Sequence, residues 1–261
     1  MLKLCLVGGL GRMGRAIASL VTDEADIEIA SVWEGAPVLS QVSNYRAATG
    51  YAKNPVTLTS DGRAAVELSD VVVDFATSAV FDEIIEVCGS LSKPLVTGTT
   101  AIPDKEARLK ALAGKVAVVS APNMAVGMNV LFGICEKLGL VMGKASDIEI
   151  VESHHRTKRD VPSGTALEIG RILSESTGKR VVVGRLAESG QRGDEIVIHS
   201  LRVGDVAGTH TVGFSPGGES LEITHTARSR ACLAAGALRA ARFAAASPPG
   251  LYSMRDVLGL K

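Results

Sequence analysis

An α/β chain with two different sheets is predicted by three observations. A glycine turn, Gly8-Gly-Leu-Gly-Arg-Met-Gly14, stands between a short apolar strand and an amphipathic helix. Four further apolar segments follow, each delivering a loop. Beyond residue 146 the pattern changes to alternation of polar and apolar residues between glycine-rich turns. The first two features describe a Rossmann-type parallel-sheet nucleotide domain, and the third a second α+β domain on a mixed sheet. The expected boundaries are residues 1–126, completed by 229–261, for the first domain and 127–228 for the second.

Size and composition admit this architecture and exclude several others. With 261 residues, 46% hydrophobic and 21% charged, the chain has ordinary soluble composition and can bury a sizeable core. Its 28 Lys and Arg balance 28 Asp and Glu, so no global basic field draws nucleic acid or acidic lipid, and local clusters must supply any anion binding. Neither nucleic acid nor a membrane is an expected partner. Cys5, Cys88, Cys135 and Cys232 lie far apart in apolar runs without CxxC pairs, which reads as buried thiols in a reducing compartment and not as a disulfide frame or zinc site. The start of the chain has no basic stretch leading into an apolar one, and no apolar run approaches the roughly 20 residues that cross a bilayer. A cytoplasmic protein is expected.

Residues 4–7 form the first strand. The glycines after it have separate uses in a dinucleotide site: Gly8 makes the tight turn, Gly11 lets backbone approach the pyrophosphate, and Gly14 lets helix and strand pack closely. Gly8, Gly9, Leu10, Gly11, Arg12 and Met13 are therefore expected to bind cofactor, against the plainer alternative of a turn that serves packing alone. The second strand, residues 27–32, ends in Trp33-Glu34, and Glu34 falls 20 positions after Gly14, about where an acidic residue takes the ribose hydroxyls of NAD. Gly35 follows, where an arginine would suit a 2′-phosphate. Between NADH and NADPH the local chemistry thus favours NADH. Residues 37–60 show no firm period and read as loop with a short helix.

Residues 71–75 are apolar but for Asp74 and read as a buried parallel strand, with helical spacing behind them at 80–87. The strands at 94–97 and 116–120 deliver Gly98, Thr99 and Thr100, then Ala121, Pro122, Asn123 and Met124. Ligands of open parallel sheets bind at the carboxyl ends of the strands, so these tips are expected on the nicotinamide side. A helix over 129–141 leads into the second domain, where residues 147–152, 195–203, 210–214 and 221–226 alternate as strands. A long alanine-rich helix over 230–246 and a short terminal segment close the chain.

The chemistry is expected between the strand at 147–152 and the helical spacing of 166–173. Ser163, Gly164 and Thr165 fall at that helix's N-terminus, with Thr165 and Glu168 in a capping-box relation. Backbone N–H groups and the positive dipole end there suit a carboxylate or phosphate, and Lys158 lies nearby in sequence. His154 and His155 are adjacent, so on a continuing strand they point to opposite faces and must differ in role; one is expected to act as a neutral-pH acid. A solvated basic loop with satisfied histidines is the plainer reading. Asp160 is expected to brace the loop through side-chain-to-backbone bonds. His199, His210 and His225 fit no compact metal spacing and are read as structural or exposed.

The run His154-His-Arg-Thr-Lys-Arg-Asp-Val-Pro-Ser-Gly-Thr-Ala166 resembles the signature of the 4-hydroxy-tetrahydrodipicolinate reductase (dihydrodipicolinate reductase) family, of diaminopimelate and lysine biosynthesis. The likeness covers almost the whole length: the turn at 8–14, Glu34, Gly98 to Thr100, Ala121 to Met124 and the terminal Gly250-Leu-Tyr-Ser-Met-Arg-Asp-Val-Leu258 match family patterns. Ala101 departs from it, standing where the family carries glycine. The resemblance implies His154 as the acid/base residue, Lys158 as second proton donor, and His155, Lys158, Gly164 and Thr165 as holders of the substrate's carboxylates, with Ser163 in the same turn. It implies hydride transfer from NADH or NADPH to ring C4 of a dihydrodipicolinate-type imine and protonation at C3; closure of a cleft between the domains is expected to exclude water from the hydride step. It also implies a homotetramer built by the middle domain's sheet. Two other readings keep the nucleotide domain: an NAD(P)-dependent reductase of another small dicarboxylate, and a dinucleotide sensor without turnover.

Overall fold

The computed structural model describes residues 1–42, 44–100 and 102–260. The chain divides into two compact units, residues 1–126 with 231–261, and residues 127–230.

The first unit runs β1 (Leu2–Val7), α1 (Arg12–Val21), β2 (Ile27–Trp33), the short helices α2 (Ala36–Leu39) and α3 (Tyr45–Thr49), β3 (Thr57–Thr59), α4 (Gly62–Glu67), β4 (Val71–Asp74), α5 (Phe81–Leu91), β5 (Leu95–Thr97), α6 (Lys105–Ala113) and β6 (Ala117–Ser120). After the second unit it resumes with α9 (Ala231–Ala246), β12 (Gly250–Tyr252) and α10 (Met254–Leu258). Its seven strands are parallel in the order β12-β6-β5-β4-β1-β2-β3. Alternation along β1 sends Leu4 and Leu6 to one core layer with α1 and α9, and Cys5 and Val7 to another with α5 and α6. Each face of the sheet is thereby covered, which is why β4 opens on three successive valines. Burying each such side chain stabilises the fold by about 1.5–3 kcal/mol. The alanines of α9 let it lie close: a Cβ on Gly236 would fall 1.7 Å from the carbonyl oxygen of Met124.

The second unit contains α7 (Val126–Met142, entering it at Gly127), β7 (Asp147–His154), α8 (Gly164–Thr177), β8 (Arg180–Val183), β9 (Glu195–Arg202), β10 (Gly208–Ser215) and β11 (Leu221–Ala227). Its sheet is mixed, ordered β11-β10-β7-β9-β8, with β7, β8 and β9 parallel and β10 antiparallel to both neighbours. Strict alternation on β7 buries Ile148, Ile150, Glu152 and His154 on one face, while Val151 on the opposite face is exposed. α8 covers the buried side with Ala166, Ile169 and Leu173.

Several expectations need correction. The strands β3, β8 and β12 are absent from the sequence reading, and all three are edges of their sheets with three or four residues each. An edge strand has one partner and little burial to imprint a pattern. The expectation that no apolar run approaches bilayer length also fails: Val126–Ala145 is long and apolar enough by length and composition, with 39% of its most apolar window buried. Averaging over the helix absorbs Glu136 and Lys137 at its centre, while Met128, Leu131, Phe132 and Cys135 are buried. Of the cysteines, Cys5, Cys88 and Cys135 are buried and Cys232 is only half-buried. Ala101 lies outside the described residues.

Candidate active site

Each unit carries its own group of candidate residues.

In the first unit a cavity of about 660 Å³ opens at the carboxyl ends of β1, β2 and β4, bounded by Gly8, Leu10, Gly11, Glu34 and Phe75. Gly8 has φ +77°, a left-handed conformation, and a Cβ there would meet the Phe75 and Ala76 backbone at 3.2 Å. Gly14 is fixed by closer contact, since a Cβ would fall 2.3 Å from the Gly9 carbonyl oxygen. Gly11 is the N-cap of α1, so Arg12 and Met13 open the helix with their N–H groups at its positive end. Gly9 packs on Val32, and its carbonyl accepts from the Tyr45 hydroxyl at 3.3 Å.

Glu34 accepts a hydrogen bond from the Leu10 N–H at 2.6 Å through Oε1 and lines the cavity, with Oε2 taking no part in that bond. Trp33 holds this loop from behind, its indole so close to α4 that a Cβ on Gly62 would overlap it at 2.3 Å. The strand tips beyond are tied together by Asp74, which is fully buried: it accepts from the Ala76 N–H at 2.9 Å and the Thr97 hydroxyl at 2.7 Å. Burial raises the Asp74 pKa and lowers that of Lys105, whose ammonium donates to the Thr99 carbonyl at 2.6 Å.

Gly98, Thr99 and Thr100 follow β5, next to β4; Gly98 admits the Phe75 ring, which a Cβ would overlap at 2.2 Å. Ala121, Pro122, Asn123 and Met124 follow β6, but Ala121 and Met124 are core side chains at 5% and 1% exposure, so only their backbone is available to a cofactor. Neither segment bounds the cavity, whereas Phe75, Ala76 and Thr77, unassigned from sequence, do. These residues fit a dinucleotide: a glycine turn at a helix N-terminus for the pyrophosphate and a fixed carboxylate for ribose.

The second unit gathers the chemistry at the end of β7. Glu152 and His154 share a face two residues apart, and Nδ1 of His154 lies 2.5 Å from Oε2 of Glu152. The register sets Arg202 of β9 opposite His154 and His210 of β10 opposite Glu152. Arg202 grips Glu152 by two parallel bonds, Nη1 to Oε2 and Nη2 to Oε1, each 2.9 Å. Burial alone would raise the Glu152 pKa; Arg202, His154, Ser200 and the Ser163 N–H outweigh it and hold it at about 2. Burial pushes His154 below its usual value against the opposing pull of Glu152, with Lys158 and Arg202 adding to the depression.

Ser163 links this cluster to α8. Its N–H donates to Glu152 Oε1 at 3.1 Å, and its hydroxyl caps the helix by accepting from the Ala166 N–H at 3.2 Å. The capping residue is thus Ser163, correcting the Thr165–Glu168 pairing; Glu168 instead binds Arg171. Gly164 opens the first turn, where a Cβ would meet nothing within 4 Å, and Thr165 follows half-buried. His155 points away from His154, its Nδ1 2.8 Å from the Thr157 hydroxyl. Lys158 pairs with Asp160 at 2.8 Å, the Asp160 carbonyl is held by Arg202, and the Asp160 carboxylate also takes a hydrogen bond from its own backbone, so it braces the loop through side-chain-to-backbone bonding and through that lysine.

His210, read from sequence as structural or exposed, is buried in this cluster. Its Nε2 lies 3.1 Å from the Ser163 hydroxyl and its ring stands edge-on to His154 at 5.1 Å. Glu152, Arg202 and His210 are site neighbours that sequence reading did not assign; the Glu-x-His spacing on a strand was the available signal for Glu152, while the other two needed strand register. No cluster with metal-binding geometry occurs among the described residues.

Comparison with known proteins bears on this arrangement. The N-terminal model of dihydrodipicolinate reductase matches residues 2–124 and its C-terminal model residues 127–258. The 4-hydroxy-tetrahydrodipicolinate reductase of Citrifermentans bemidjiense is 39% identical over 269 aligned positions, covering all of both chains, and that of Thiobacillus denitrificans is 40% identical over 99% of each. Among solved structures, a dipicolinate-bound dihydrodipicolinate reductase from Paenisporosarcina sp. TG-14 shares the fold with a TM-score of 0.78 at 22% identity, covering 97% of each chain. With its turn, its carboxylate and its His-Lys loop in two units that each match their half of one family, the chain belongs to the dihydrodipicolinate reductases.

Proposed function

We propose that this protein reduces 4-hydroxy-tetrahydrodipicolinate, by way of the dehydrated imine, to tetrahydrodipicolinate with NAD(P)H. Full-length identity near 39% to reductases of that name supports the activity; one observation in the structure carries the chemistry. A buried histidine and the turn that opens α8 are both bound to Glu152, and the loop between them carries Lys158, so a cation and a helix N-terminus suited to a carboxylate follow the histidine directly. The Gly164–Thr165 end of the helix, His155 and Lys158 bind the substrate's carboxylates. The nicotinamide supplies hydride to ring C4; His154, or a water it orients, supplies the proton to C3, and Lys158 is the second proton donor.

NADH is the preferred cofactor on this reading. Glu34 is fixed by Leu10, and residues 33–38 contain no cation, so a 2′-phosphate would face a carboxylate without a partner. The chain also assembles as a homotetramer through the open face of the second sheet, where Val151 and Leu201 are exposed at 38% and 53%.

The test is loss of reduced-nicotinamide absorbance while the substrate is generated in place from pyruvate and aspartate semialdehyde by the preceding synthase. Oxidation that requires the whole mixture, faster with NADH, is expected. Measurable NADH binding with no oxidation by either cofactor would overturn the activity and direct the search to other dicarboxylates or to a sensing role.

A further inference from the structure

The carboxylate of Glu152 has no solvent exposure, yet all its contacts are donors. Oε2 faces Nδ1 of His154 and Nη1 of Arg202; Oε1 faces Nη2 of Arg202 and the Ser163 N–H. A doubly gripped, ionised carboxylate accepts only. The proton between it and the ring therefore sits on Nδ1, and Nε2 is the nitrogen left to exchange a proton. The opposite side of the ring is kept clear by Gly208, where a Cβ would lie 3.0 Å from Nε2.

We propose that Glu152 is a positioning residue of the reductase: it fixes the Nδ1–H tautomer and the orientation of His154, and anchors to the same carboxylate the N-cap amide of the helix that receives the substrate. This rests on His154 being the acid/base group of the reaction above. Glu152 itself never exchanges a proton with substrate; its proton-free state is held by Arg202. Arg202 also neutralises it, so that a negative charge behind the anion-binding turn does not repel a dicarboxylate. The groups facing the His154 ring are Glu152 on its own strand, Arg202 on β9, His210 on β10 and Lys158 in the following loop. Of these Glu152 is the sole anion, so its charge is what favours the imidazolium form.

Nitrogen-15 NMR of histidine-labelled protein without ligands reads the tautomer directly, with His154 assigned by its loss in His154→Gln. An Nδ1–H ring is expected; an Nε2–H ring would overturn the proposal. Glu152→Gln then removes the charge while keeping the shape. Turnover should fall roughly 10- to 100-fold, as for other lost orienting partners, the His154 titration should move to lower pH, and NADH affinity should stay within about twofold. Glu152→Asp should recover part of the loss. A folded Glu152→Gln enzyme with unchanged turnover and unchanged His154 titration sinks the proposal. If Glu152→Gln does not fold, the wild-type tautomer still decides. Should the wild type show the expected tautomer but reduce no dicarboxylate, the positioning role stands and the reductase reading falls.

Discussion

At the scale of single residues, His154 and Lys158 are separable by what each touches. His154 is buried and held by Glu152, so His154→Gln should lower turnover about 100-fold with NADH affinity unchanged, measured by steady-state kinetics beside a binding titration. Lys158 is half-buried, with Asp160 as its partner. Lys158→Ala should raise the KM for substrate as well as lower turnover, because a carboxylate contact is lost along with a proton donor. Equal KM values in wild type and Lys158→Ala would remove it from substrate binding. His154 and Lys158 stand out in the sequence because they are clustered in one short run. Glu152 is just upstream, yet its importance depends on Arg202, about fifty positions away, making it ionised inside the unit.

At the scale of elements, the N-terminus of α8 is the part that joins folding to binding. Ser163 caps the helix and contacts both Glu152 and His210. Ser163→Ala should cost about 1 kcal/mol from the lost cap, seen as a lower denaturant midpoint, and should also weaken substrate binding because the turn loses its hold. A cap loss alone, with the substrate KM intact, would separate the turn from the site. A helix start was legible from the Ser-Gly-Thr run followed by helical spacing. Which residue caps it was not, because Ser163 and Thr165 carry equivalent hydroxyls and only the backbone conformation chooses between them; Ser163 is extended and Gly164 begins the helix. The central strands were legible for the same reason in reverse: burial on both faces of β4, and on one face of β7, writes itself into the residue pattern.

At the scale of the whole molecule, buried titratable groups set the response to acid. Burial depresses His210 to about 3 from its ordinary 6.5, with His154, His225 and Lys158 adding to it against the opposing pull of Glu152. The unfolded chain therefore binds the extra proton first as pH falls, and stability should decline from about pH 6.5 toward 3. Glu152, held at about 2 against an ordinary 4.5, adds a second loss below about 4.5. Thermal unfolding followed between pH 7 and 4 should show this slope, and His210→Asn should flatten its upper part. The proposed assembly makes a separate prediction: Val151→Lys or Leu201→Lys, placing charge on the open sheet face, should reduce the mass seen by light scattering while leaving NADH binding intact.

The sequence by itself determined the parallel nucleotide sheet, the glycine turn with its acidic partner, and the short run that carries the histidines and lysine. Each of these is local: periodicity, glycine spacing and adjacency act over a few residues and survive as pattern. The tertiary structure decided which side chains surround His154. Strand register sets Arg202 and His210 beside it from other strands; Arg202 then keeps Glu152 ionised against its burial, while burial keeps His210 neutral. Edge strands and charge states both depend on what lies across space, and sequence order carries no record of that distance.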